Sequence, residues 1–504
     1  MRKMRVAPSL PGHRAIPGSL VCVLAVFLFL SLLAGCATNP VTGKSELMLI
    51  TEEQEIQMGE ELYPNALWGA EGGGGEYKDE RLKAYLGDVI TRIHRNSHRQ
   101  NLPVSFAIQN SSVPNAWAIP GYVVITRGLV AGLENEGEFA FVMGHEMGHV
   151  SARHSARQIT NSMLLQVGLG IAGVALSGQD YADSVIGLGA LGGSLLLLKY
   201  SRDDELEADR LGVQYMTRIG YDANGAVSAH KNLQRVSADY VRSLGQEPKE
   251  RSWFEDLLST HPRTQIRVEE IQQIINNTPR SPVIGDGRNR GQFQNMTAGV
   301  QKTNRAYASY YDPAMRAFEK GNLKEANNLV SQAIAADRQQ PPFYALAGFV
   351  YMKQKNFTEA ERYFNGALTV DPNYQPAYRG IGTMRYAEGN FNDASRYLQK
   401  SLSLFPQDTV SHYFLGMGYY KQRSYKAAIP HLSAFAEAKP NHSTIHGMLA
   451  QCYESVGDQK SAYERYLMQV KAAPDNEMGK RAVERATLLK PIVEPPPPQK
   501  KEKK

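Results

Sequence analysis

Hydrophobic positions change their rhythm several times along the chain. Residues 20–33 form a nearly unbroken apolar run behind Arg2, Lys3, Arg5, His13 and Arg14. At roughly 14 residues the run is short of the roughly 20 that span a bilayer, so it reads as the apolar region of a secretory leader. Residues 37–79 are polar and glycine-punctuated, with a break at Gly72–Gly75 and a helix-like run over 51–63. Leu82, Tyr85, Leu86, Val89, Ile90 and Ile93 then recur at helical spacing over 80–96. Residues 104–108 and 118–126 alternate as strands do. A long helical pattern runs from Glu136 to about Ile159. Two glycine-rich apolar segments follow at 163–177 and 184–198, each too short for a span. They read as a buried helical hairpin, with a membrane-facing or lid-like element as the alternative. Residues 80–276 thus form a mostly helical α+β domain behind an N-terminal extension, 37–79. Residues 277–304, rich in Pro, Gly, Asn, Arg and Gln, read as a linker.

Beyond residue 305 one period takes over. Ala326, Ala360, Ala394, Ala428 and Ala462 recur every 34 residues, as do Pro372, Pro406, Pro440 and Pro474, and Gly348, Gly382 and Gly416. This is the tetratricopeptide pattern of stacked helix pairs. It predicts repeats at 341–374, 375–408, 409–442 and 443–476, a degenerate leading unit at 307–340, and an array spanning 305–478. Residues 479–504, with Pro495–Pro498 and a lysine-rich end, read as a disordered tail.

A chain of 504 residues exceeds one core, in line with this division. The net charge of +6 is concentrated in the two ends, which leaves no basic stripe for nucleic acid. Of three cysteines, Cys22 falls in the leader and Cys452 reads as a small buried repeat residue, so no disulfide framework is expected. The third closes Leu33-Ala34-Gly35-Cys36, which resembles the bacterial lipobox. It predicts a leader ending at residue 36 and a periplasmic protein anchored through lipidated Cys36. Ala37 in place of an aspartate favours the outer membrane. If the lipobox is not used, a soluble periplasmic protein follows.

The chemistry concentrates in His145-Glu146-Met147-Gly148-His149. Histidines at i and i+4 share a helix face and can bind one tetrahedral metal ion. Glu146 projects beside it as a general base toward water. Phe139, Ala140, Phe141, Val142 and Val150 make this helix apolar, and buried imidazoles need partners. A third histidine six residues on is excluded, because that position is Ser155. Glu205 and Asp209, also i and i+4, form a candidate pair: Glu205 as third ligand, Asp209 accepting from a ligand histidine. The alternative for that stretch is an ordinary charged helix face.

His145-Glu-Met-Gly-His149 with Glu205-Leu-Glu-Ala-Asp209 resembles the peptidase family that includes the CAAX-prenyl and HtpX-like proteases. The resemblance implies one Zn(2+) per chain held by His145, His149 and Glu205, with Glu146 as base and Asp209 supporting catalysis. Asn115-Ala116 and Pro120-Gly121 match the family's edge strand, where a peptide can add by backbone pairing. His261-Pro262 with Arg267 matches a downstream motif; His261 either approaches the metal or the oxyanion, or is structural at a helix end. His154 reads as structural. The expected fold class is an α+β gluzincin-like metalloprotease domain, mostly helical with a small β-sheet, followed by an all-α TPR solenoid. The expected activity is that of a zinc metalloendopeptidase in protein quality control. Its polypeptide substrates would be misfolded or stalled outer-membrane proteins, and its repeats would capture clients or dock on outer-membrane assembly machinery. The competing reading is a non-proteolytic TPR chaperone or scaffold with a structural zinc.

Overall fold

A computed structural model describes residues 36–69, 74–164, 200–245, 265–279 and 281–494. The leader to residue 35, His261 and Pro262, the tail from 495, and all but residues 163–164 of the 163–198 stretch lie outside the described residues. Among the described residues no helix is long and apolar enough to cross a membrane.

The chain starts with a short hairpin, β1 (Cys36–Thr38) antiparallel to β2 (Ser45–Leu47), and then helix α1 (Glu52–Gly69). Helix α2 (Glu80–Arg95) is capped by Asp79, whose carboxylate accepts from the Leu82 N–H. It buries the stripe Leu82, Leu86, Val89, Ile90 and Ile93 expected from its spacing. Strands β3 (Val104–Gln109), β4 (Ala116–Ile119) and β5 (Gly121–Thr126) form a sheet in the order β3-β5-β4, with β3 parallel and β4 antiparallel to β5. The single strand expected over 118–126 is therefore two arms of a hairpin. Ile119 pairs with Tyr122 across Pro120-Gly121, and Gly121 has φ +92°. Proline followed by a glycine at positive φ is the residue pattern of a type II turn. Alternation alone does not register such a reversal, because residues of both arms are buried.

Helices α3 (Arg127–Gly132), α4 (Glu136–Ser151), α5 (Arg202–Arg218), α6 (Asn224–Ser243) and α7 (Gln265–Asn277) complete the expected domain. The helical pattern expected to continue to Ile159 is broken. α4 ends at Ser151, Arg153 takes φ +57°, and helix resumes over 154–164. A left-handed arginine costs about 1–2 kcal/mol. Contacts hold it: Arg153 Nε donates to Glu55 Oε2 at 3.2 Å and Nη2 to the Ile50 carbonyl at 2.8 Å.

Two expected boundaries do not coincide with packing. The 277–304 linker contains most of helix α8 (Arg290–Ala306), whose Phe293 and Val300 belong to the core of the preceding α+β domain. Phe293, Thr297 and Val300 make a narrow buried stripe on an otherwise polar helix, and bulk composition averages it away. The N-terminal extension is likewise part of the domain. Leu62 and Ala66 of α1 pack on Trp117, Ile119 and Val124, and a Cβ on Gly59 would lie 2.0 Å from the Pro120 carbonyl oxygen.

Helices α4 and α5 cross through small residues. Added Cβ atoms on Gly148 and Gly212 would sit 3.1 Å from Ala208 Cα and 3.0 Å from His145 N. This contact lets side chains from two distant segments meet.

Helix pairs then repeat at the expected register: Pro341–Lys353 with Phe357–Val370, Gln375–Ala387 with Phe391–Leu404, Thr409–Lys421 with Tyr425–Ala438, and Ile445–Ser455 with Gln459–Ala472. Gly348, Gly382 and Gly416 give way to Phe364, Leu398 and Leu432, each within 3 Å of where a Cβ would stand. Cys452 is buried among them, and burial pushes its thiol up to about 12. The part of the 479–504 tail up to Val493 is helical, within Glu477–Val493, which buries Gly479, Ala482, Ala486 and Leu489. Arg127 joins the sheet to the array. It is fully buried, donates to Asn110 Oδ1 at 2.8 Å, to Ser112 Oγ at 2.7 Å and to Asn304, and lies 3.6 Å over the Tyr307 ring.

Candidate metal centre

The α4–α5 crossing brings His145, His149 and Glu205 together. Each is buried, and each offers one donor atom within 4.8 Å of the others. His145 Nε2 lies 3.1 Å from His149 Nε2; the Glu205 oxygens lie 3.7 Å from His145 Nε2 and 3.5 Å from His149 Nε2. Zinc holds nitrogen and oxygen ligands at about 2.0–2.2 Å in tetrahedral geometry, which requires donors about 3.3–3.5 Å apart. The donor set therefore fits one such ion by both chemistry and spacing.

Asp209, one turn beyond Glu205, lies 2.9 Å from His145 Nδ1. A carboxylate there fixes the proton on Nδ1 and leaves the Nε2 lone pair facing the other donors. Burial pushes His145 down to about 4, against the opposing pull of Asp209. Burial alone would raise Asp209; the Arg267 guanidinium and the His145 hydrogen bond outweigh it and hold the carboxyl well below its ordinary range.

Arg267, from α7, binds both carboxylates. Its Nε and Nη2 reach Asp209 at 2.8 and 2.6 Å, and Nη1 lies 2.6 Å from Glu205 Oε2. The arginine grips one Glu205 oxygen while the other faces His149. The sequence carried Arg267 only as part of a downstream motif; its role depends on a helix returning from a distant segment. His230 of α6 was missed as well. It is buried with Nε2 3.6 Å from Asp209 Oδ1. Tyr200 stacks on His149 with ring centroids 3.9 Å apart, and its hydroxyl pairs with Ser155 Oγ at 2.9 Å.

A small cavity opens beside His145, one of the three donor residues. Glu146, Asn115, Ala116, His230 and Arg267 line it together with His145. Asn115 and Ala116 thus sit at the site, at one end of β4, which is an edge of the sheet. Pro120 and Gly121 lie at the other end of that strand, roughly 13 Å away at strand rise, outside this cavity. His261, the remaining candidate, is outside the described residues.

Residues 78–275 match the model for peptidase family M48, and residues 317–383, 379–443 and 413–477 match tetratricopeptide repeat models. The chain is 28% identical over 212 residues to the beta-barrel assembly-enhancing protease of Yersinia pestis, covering 40% of this chain and 41% of that protein. It is 26% identical over 329 residues to the protein of the same name from Escherichia coli strain K12, covering 60% and 63%. The metalloprotease YcaL of that strain is 32% identical over 174 residues, covering 34% and 63%. The chain thus spans 41–63% of the length of these relatives. Among solved structures, that of Pseudomonas aeruginosa pilF matches with a TM-score of 0.33 at 14% identity, covering 39% of this chain and 95% of its own.

Proposed function

We propose, for a chain that carries a peptidase family M48 domain with tetratricopeptide repeats behind it, that this protein is a zinc-dependent endopeptidase. The observation that carries the reading is the convergence of His145, His149 and Glu205 at separations that suit one ion. When bound, zinc supplies Lewis-acid chemistry: it polarises a carbonyl and makes water acidic enough to attack at neutral pH.

The chain's residues do the rest. Asp209 and Arg267 hold His145 and Glu205 in place. Glu146, beside His145 in the cavity, takes the proton from the attacking water and returns it to the leaving amine. β4 is an outer strand of its sheet, and an extended peptide that pairs with its backbone between Asn115 and Ile119 would be led past Glu146. The fit to an extended strand implies unfolded segments as substrates. The relatives' name, beta-barrel assembly-enhancing protease, supports misfolded or stalled outer-membrane proteins as their source. The repeats supply a protein-interaction surface for such clients or for assembly machinery. The lipobox supports a periplasmic location on the outer membrane through Cys36.

The test compares purified wild type with Glu146→Gln for bound zinc and for cleavage of a urea-unfolded outer-membrane barrel protein. Both should retain one zinc, and only wild type should cut. Aggregation suppression without cleavage by the zinc-loaded wild type would replace the peptidase with the scaffold reading.

A further inference from the structure

His145 is oriented by Asp209, and the second ligand histidine, His149, presents its Nδ1 to another ring. That nitrogen lies 2.8 Å from Nδ1 of His154. The contact is not available in a straight helix, where residues five apart stand about 140° apart around the axis. It exists because the chain breaks after Ser151 and turns through Arg153 at φ +57°. His154 is completely buried, and its other nitrogen, Nε2, faces two carboxylates: Glu207 Oε2 at 3.2 Å and Asp204 Oδ1 at 3.5 Å.

Carboxylates accept, so His154 Nε2 carries a proton, and a His149 that turns its Nε2 lone pair to a metal has its own proton on Nδ1, which leaves His154 Nδ1 to present a lone pair. That lone pair accepts the Nδ1–H of His149. The His149 ring then has one tautomer, with the Nε2 lone pair aimed at His145 Nε2 and Glu205. We propose that His154 is a positioning residue, the middle of a carboxylate–His154–His149 relay that does for the second ligand what Asp209 does for the first. The inference rests on the zinc reading above. It also gives the Glu55–Arg153 contact a function, since that contact holds the turn that brings His154 back onto His149.

The test uses the full chain and His154→Phe, which keeps ring volume without an acceptor. His154→Leu is a second apolar replacement should the first fail to fold, and His154→Asn restores an acceptor near the Nδ1 position. Zinc dissociation constants come from chelator competition, with folding followed by circular dichroism. The apolar variants should bind zinc about 10–100-fold more weakly, the range for loss of a ligand-orienting partner, and His154→Asn should recover most of that loss. On the metal-free chain, two-bond nitrogen–proton NMR of 15N-labelled histidine should show His149 as the Nδ1–H tautomer in wild type and as a mixture in the apolar variant. A folded apolar variant that binds zinc as wild type does, or a His149 tautomer unchanged by the substitution, overturns the relay. Glu205→Ala separates this failure from failure of the metal reading: if that variant also keeps wild-type affinity, the site itself is misassigned.

Discussion

Gly212→Ala is a single-methyl perturbation of the helix crossing that assembles the centre. The new Cβ would stand 3.0 Å from the backbone nitrogen of His145 and 3.3 Å from its Cα, where ordinary contact begins at 3.4 Å. The obstacle is backbone of a ligand residue, so α5 must withdraw from α4 by about 0.4 Å. Glu205 rides on α5 and the histidines on α4, so the donor set opens by a similar amount. A metal site tolerates about 0.2 Å in its ligand distances. Zinc affinity should therefore fall by at least about 10-fold, a magnitude comparable to loss of an orienting group. Gly212→Val adds two more carbons, and overpacking of this kind costs about 1–3 kcal/mol of stability. Gly382→Val in the repeats is the matched control: its Cβ meets the Leu398 side chain, 2.7 Å away, in a different domain. Chelator competition and urea denaturation on all three variants separate the effects. Both valine variants should lose stability, and only those at 212 should lose zinc affinity. Folded Gly212 variants with wild-type zinc affinity would refute the argument that this crossing sets the ligand spacing.

Asp209→Asn removes the negative charge shared by His145 and Arg267 and leaves one accepting oxygen where the carboxylate has two; chelator competition should show about 10–100-fold weaker zinc binding, and urea melts a loss of about 3–5 kcal/mol as a buried ion pair is broken. Unchanged affinity would remove Asp209 from the site. Arg127→Met leaves Asn110, Ser112 and Asn304 without their partner at the junction with the repeats. Calorimetry should show a loss of about 3 kcal/mol or more; a melt like that of wild type would mean the junction holds without it. Burial, helped by neighbouring His412, pushes His431 in the repeats down to about 4 from its ordinary 6.5. Its folded value is the lower one, so the stability it contributes is present above about pH 6.5 and lost as pH falls toward about 4. His431→Asn should flatten that acid limb of the melting temperature, and an identical limb in the variant would contradict the assignment.

The features legible in the sequence are those with a fixed period. Repeat boundaries follow from 34-residue spacing because each unit must offer its glycine to the large residue of its own second helix, as Gly382 does to Leu398. The ligand histidines and the Glu205–Asp209 pair are legible because i and i+4 share a helix face. What escapes is whatever depends on a reversal or on tertiary return. The Pro120-Gly121 turn hides inside continuous alternation, and the break at Arg153 hides because its left-handed conformation is held by Glu55, nearly a hundred residues earlier. Helix α8 reads as a linker because its buried stripe is narrow. Arg267 gains its meaning only when α7 lies beside α5, where it touches Glu205 and Asp209 together.

X-ray absorption at the zinc edge on the full chain, purified without added metal and then loaded to one equivalent, tests the central claim most directly. The account predicts scattering from two imidazole nitrogens and carboxylate oxygen at about 2.0–2.2 Å, with no sulfur shell. The carboxylate contribution should disappear in Glu205→Ala. Zinc that fails to bind, or a spectrum that is the same with and without Glu205, would contradict it.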